Sequence, residues 1–189
     1  MSDLLLVCRL TLICVLAVAG LAKLRDRRRF AAALGDLTRL PAAARPALAV
    51  LVPAAELLAA VLLAVPRTLT AGLVFATALC TAFSAVAVTT MRRGSPAGCP
   101  CFGSRTTVPM GPWHVARNAV LTALAVLGVA IALTHGTATD LDAPALGLAV
   151  AVAGYLTTLA VFTDDLASFF SAGTGRRPAP TDAERTITQ

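Results

Sequence analysis

Two cysteines separated by one proline, Cys99-Pro100-Cys101, stand in a segment that also contains Gly94, Ser95, Pro96, Gly98 and Gly103. A Cys-x-Cys pair cannot close a relaxed disulfide within a regular helix, but a segment punctuated by glycine and proline can bring the two sulfurs within bonding reach at the cost of strain. Strain makes a disulfide easier to reduce, which suits exchange better than stapling. Arg92, Arg93 and Arg105 are close in sequence and favour the thiolate, the attacking form. Two other readings stay open, a metal site and a pair of idle thiols. Zinc asks for four ligands, and the nearest further candidate is His114.

A second set of chemistry-bearing residues lies inside apolar runs. Glu56 is about ten residues beyond Pro46, so its carboxyl sits ~15 Å along a helix, near the middle of a bilayer. An unpaired charge at that depth is costly, so Glu56 is expected to face other helices and find a partner. Arg117, next to Asn118, is one turn inside a later run, and Lys23 closes the first run on the same membrane face. Arg117 is the expected partner, because its long stem reaches inward; the pair serves either packing or turnover. Arg9, near the opposite face, is expected to snorkel toward the headgroups. His135 is expected to be solvated. Cys14 and Cys80 read as small hydrophobes in a helix, and Cys8, near a helix end, is less clearly so.

The elements that must position these residues are membrane helices. The chain has 189 residues, 57% of them hydrophobic and 14% charged, with a mean hydropathy of +0.79. That is well above the ~45–50% apolar content of a soluble domain, and the length suits one helical bundle with no second domain. Apolar runs cover Leu4 to Leu24, Ala47 to Val65, Leu69 to Met91, Trp113 to Leu133 and Ala145 to Phe162. The first has no basic residues ahead of it and no small-x-small cleavage pattern behind it. Cys14 also lacks a lipoprotein context, so the run is read as a retained helix. Between the first two runs, Phe30, Ala33, Leu34, Leu37 and Leu40 recur at helical spacing behind a basic cluster, the pattern of a helix lying in the headgroup plane. Pro112 suits a first helical turn and Trp113 an interfacial anchor. The fold expected is all-α: residues 1–172 form a polytopic membrane bundle of four to five transmembrane helices, with a short interfacial amphipathic helix after the first. Residues 173–189, rich in Pro, Thr and charge, form a disordered polar tail.

The net charge of +6 does not indicate nucleic acid, since the basic residues border apolar runs and form no stripe with interleaved aromatics. With five spans, one face receives Lys23, Arg25, Arg27, Arg28, Arg29, Arg39, Arg45, Arg92, Arg93, Arg105, Arg176, Arg177 and Arg185, and the loops of the other hold only Arg67. The positive-inside rule then puts the Cys99 segment in the cytoplasm of a multi-pass cell-membrane protein. A disulfide donor to a secreted client would require it on the outer face.

Taken in order, Gly20-Leu21-Ala22-Lys23-Leu24, Glu56-Leu57, Cys99-Pro100-Cys101-Phe102-Gly103 and Ala116-Arg117-Asn118 with Leu121 resemble the MauE or DoxX-like membrane proteins, named for methylamine utilisation. The likeness runs from about Gly20 to Leu133. It implies a role in methylamine metabolism, in maturing a periplasmic methylamine dehydrogenase whose small subunit is rich in disulfides, alongside a thioredoxin-like partner. The chain is also similar to vitamin K epoxide reductase, a helical bundle with a surface helix after its first span and a redox cysteine pair at the start of its fourth. It departs from that pattern in having no cysteine in its first loop, so the relay pair is missing.

The functional expectation is a membrane thiol–disulfide protein, an oxidoreductase if it turns over, that helps mature a partner. Cys99 and Cys101 would exchange electrons while Lys23, Glu56, Arg117 and Asn118 shape the site. No cofactor is required by the residues; a quinone is the one the second likeness admits. The expected partners are a thioredoxin-like protein or redox client and the lipid bilayer, with no nucleic acid. The alternative is a non-enzymatic membrane subunit or a small-solute permease with a polar path along Glu56 and Arg117.

Overall fold

The computed structural model describes residues 2–38, 41–93, 112–137 and 143–172, with backbone alone for residues 2, 36–38 and 163–172. The Cys99–Cys101 pair, Arg105 and the 173–189 tail lie outside the described residues.

Among the described residues six α-helices follow one another: α1 (Ser2–Arg25), α2 (Arg27–Thr38), α3 (Arg45–Ala64), α4 (Leu69–Arg92), α5 (Pro112–His135) and α6 (Ala143–Ala172). Short 3₁₀ turns at Ala42–Ala44 and Pro66–Thr68 lead into α3 and α4. Among the described residues, five stretches are long and apolar enough to cross a membrane: Asp3–Arg25, Ala42–Ala64, Pro66–Arg92, Pro112–His135 and Ala143–Phe162. The protein is a multi-pass, all-α membrane bundle. Its outer surface agrees, since Leu51, Val61, Leu133, Leu148 and Tyr155 are exposed on helix faces that would be costly in water and are at ease in lipid.

Helix α2 does not cross. Its 12 residues span only ~18 Å. Arg27 and Arg28 stay exposed, while Phe30 and Leu34 turn inward and pack with Ala49 of α3. Asp26 separates α1 from α2 and caps the second helix, its Oδ1 accepting from the backbone N–H of Arg29 at 3.2 Å.

The bundle is knit by small residues at close crossings. A Cβ at Gly72 of α4 would stand 2.8 Å from the backbone nitrogen of Leu63 and 2.9 Å from the carbonyl carbon of Leu62, so the α3–α4 hairpin closes only over a glycine. A Cβ at Gly20 of α1 would meet Leu57 Cγ at 3.0 Å and the Pro53 carbonyl oxygen at 3.1 Å. Leu5, Leu12, Leu16, Leu63, Leu73, Leu121 and Ala125 fill the interior between α1, α3, α4 and α5. Helix α6 packs chiefly on α1, burying Ala149, Ala153 and Ala160.

Arg9 differs from the snorkelling expectation. Its Nε donates to the Leu63 carbonyl and its Nη2 to the Ala64 carbonyl, each at 2.7 Å, so the guanidinium caps the end of α3. Those carbonyls have no partner within the helix, and a forked donor from the neighbouring helix satisfies them within reach of the membrane edge.

Candidate functional site

In a helix, Cα–Cβ bonds tilt toward the N-terminus. Helix α1 ends, and α3 begins, on the same membrane face. Lys23, two residues before the end of α1, therefore sends its stem back into the bundle, while Glu56, midway along α3, leans up to meet it. Lys23 Nζ donates to Glu56 Oε1 at 2.5 Å, with the two side chains 4% and 1% exposed. Pro53 is also buried, one turn before Glu56, and removes a backbone N–H from the middle of α3.

The ammonium is walled by two rings as well as paired. Nζ lies 5.7 Å from the centroid of Phe30 and 5.3 Å from that of Phe83, both within the range in which a ring face attracts a cation. Phe30 belongs to the surface helix, so α2 covers the ion pair from the headgroup side. Phe83 belongs to α4, one turn beyond Cys80, whose buried thiol is in electrostatic range of Glu56.

The expected partner of Glu56 is thus corrected from Arg117 to Lys23. Arg117 enters from α5, which also begins on this face, so its Cβ tilts outward and away from the depth of Glu56. It is 7% exposed, within electrostatic range of Lys23, and its Nη1 points to the Ala160 carbonyl of α6 at 3.5 Å. The structure therefore gathers Lys23 and Glu56 into one buried pair with Arg117 beside it. Asn118, half-buried, is one residue on; its backbone carbonyl accepts from Thr122 Oγ1 at 2.8 Å, and that hydroxyl pairs with Ser84 of α4 at 3.2 Å.

Phe83 is the member that the sequence did not suggest. A phenylalanine in an apolar run has no local signature, and only its spacing of three from Cys80 on α4 connects it to the site. His114 is buried at the start of α5. Nearby, Ala87 of α4, Ala33 of α2 and Val115 of α5 pack together. These contacts hold the two helix ends that flank residues 94–111 against the cover helix. The end of α4 and the start of α5 therefore lie on the membrane face where α1 ends with Lys23.

Neither curated proteins nor solved structures provide a match to this chain. The sequence profile of the methylamine utilisation protein MauE matches residues 1–131, the stretch that contains α1 to α4, the Cys99 segment, the Lys23–Glu56 pair and most of α5, and the chain belongs to that family of membrane proteins.

Proposed function

We propose that this chain is a membrane thiol–disulfide exchange protein that assists the maturation of a redox partner in methylamine utilisation, with Cys99 and Cys101 as the exchanging pair. The observation that supports this reading is the buried Lys23–Glu56 pair under its α2 cover. It ties α1, α2, α3 and α4 together at the bundle end where α4 and α5 flank the cysteine segment. A short strained disulfide needs such a base if its two sulfurs are to stay within reach of each other and of a client.

The exchange conserves electrons. A client thiolate attacks one sulfur of the Cys99–Cys101 disulfide, the other sulfur leaves as a thiolate, and the client's second thiolate resolves the mixed disulfide. The client ends oxidised and the pair reduced, two electrons and two protons having been transferred. The reverse sequence reduces a client. A thioredoxin-like protein is the class of partner that completes either cycle. The permease alternative has less support, because Glu56 is 1% exposed and its Oε1 is bonded to Lys23.

Trapping tests the reading. A Cys101→Ser variant retains one thiol of the pair and should accumulate a reducible mixed disulfide with a client, whereas the Cys99→Ser/Cys101→Ser double variant should accumulate none and should fail to support maturation. Full maturation with the double variant would refute the proposal.

A further inference from the structure

Six arginines meet the membrane face on which α1 and α4 end: Arg25, Arg27, Arg28 and Arg29 at the α1–α2 junction, and Arg92 and Arg93 at the close of α4. Arg29 is half-buried and the other five are exposed. Among the described residues none of the six forms an ion pair. The adjacent acid, Asp26, is engaged as the cap of α2, accepting from the Arg29 backbone N–H at 3.2 Å. Asp36, the other acid of that stretch, stands ~10 Å or more further along the helix axis.

The placement runs against the field of the helix itself. The first turn of α2 holds Arg27, Arg28 and Arg29 and no acid, although a helix start carries partial positive charge and disfavours cations. Arg27 Nε donates to the Leu24 carbonyl at 3.4 Å, which fixes one edge of that guanidinium and leaves the rest at the surface. Like charges crowded in this way repel, and an anion from outside the chain relieves them.

The same helix carries its charge and its cover on opposite sides. Successive residues turn by ~100°, so Arg28 stands almost opposite Phe30. Phe30 faces the Lys23 ammonium and, with Leu34, packs on Ala49 of α3. Ala33 packs beside Ala87, so α2 rests along the part of α4 that leads to Arg92 and Arg93. A 12-residue helix is marginal by itself, and two large buried side chains seat this one. What holds its outer side therefore bears on whether Phe30 stays over Lys23.

We propose that this arginine surface binds the headgroups of anionic phospholipids and that their binding holds α2 down on the Lys23–Glu56 pair. A phosphodiester is a delocalised anion that the guanidinium fork matches. Its acyl chains stay in the bilayer, which keeps the headgroup at the depth of a surface helix. The surface stands independently of whether Cys99 and Cys101 exchange electrons.

Hydrogen–deuterium exchange over residues 27–38 tests it, with the full-length protein in phosphatidylcholine nanodiscs carrying increasing fractions of phosphatidylglycerol. Protection of this stretch should rise saturably with phosphatidylglycerol at low salt and should fall again as salt is added. Arg27→Gln/Arg28→Gln alters two exposed side chains, so it should melt with the native chain in pure phosphatidylcholine. Its apparent affinity for phosphatidylglycerol should be about 30-fold weaker, the combined value of two arginines beside an anionic surface. Arg67→Gln, on the opposite face, and Cys99→Ser/Cys101→Ser should both keep the native response, the latter separating this surface from the thiol reading. Protection that ignores phosphatidylglycerol, a native response in Arg27→Gln/Arg28→Gln, or equal protection by free glycerol 3-phosphate in phosphatidylcholine discs would overturn the proposal.

Discussion

The ammonium of Lys23, near the end of α1, meets the carboxylate of Glu56, midway along α3, at 2.5 Å in a setting closed to the surface. Burial of two charges is offset only when their geometry is good and further contacts support them. Here the support comes from Phe30 and Phe83, which face the ammonium from two other helices. Four elements converge on one nitrogen atom.

Removal of one partner should therefore cost more than removal of both. Lys23→Met and Glu56→Gln should each destabilise the bundle by about 3–5 kcal/mol, since each leaves an uncompensated buried group. The Lys23→Met/Glu56→Leu double variant should recover most of that loss. Thermal unfolding in detergent measures all three. A double variant as unstable as the sum of the singles would show that the two residues act separately.

The glycine crossings make a paired prediction. At Gly72 an added methyl meets backbone atoms of Leu62 and Leu63 below 3.0 Å, whereas at Gly35 it meets only the guanidinium tip of Arg45. Backbone cannot yield cheaply and a flexible tip can. Gly72→Ala should lose about 1–3 kcal/mol through overpacking. Gly35→Ala, which also gains helix propensity, should be close to neutral. Equal melting temperatures for the two would contradict the close α3–α4 approach.

Arg9 is predicted to act as an interhelical cap. Arg9→Met deletes two charge-assisted hydrogen bonds to α3 carbonyls and should cost about 1–3 kcal/mol. Arg9→Lys offers a single donor group without the fork and should restore only part. Full stability in Arg9→Met would return the residue to a snorkelling role.

The sidedness of the cysteine segment is open to chemical labelling. Thirteen basic residues on its face, Lys23 through Arg185, stand against Arg67 on the other. This bias predicts that a membrane-impermeant thiol reagent leaves Cys99 unmodified in intact cells and that the pair is mostly reduced during growth. Rapid modification from outside would instead place the exchange chemistry beside secreted clients and fix its direction as disulfide donation.

The sequence by itself determined the solvent of this protein and the class of its fold. Apolar runs of span length, a basic cluster behind the first, and the striped Phe30 and Leu34 are properties of local composition and period, so α1 to α6 and the surface course of α2 were legible before any contact was known. The need of Glu56 for a partner was legible too, because the cost of a lone charge in lipid depends on depth alone. Which cation answers that need was not. Lys23 and Arg117 both approach from the same face, and the choice depends on the direction in which each helix tilts its side chains and on where α2 places Phe30. The cap made by Arg9 is likewise a product of how α3 lies against α1. Such relationships join residues 33 to 55 positions apart, and no local period carries them.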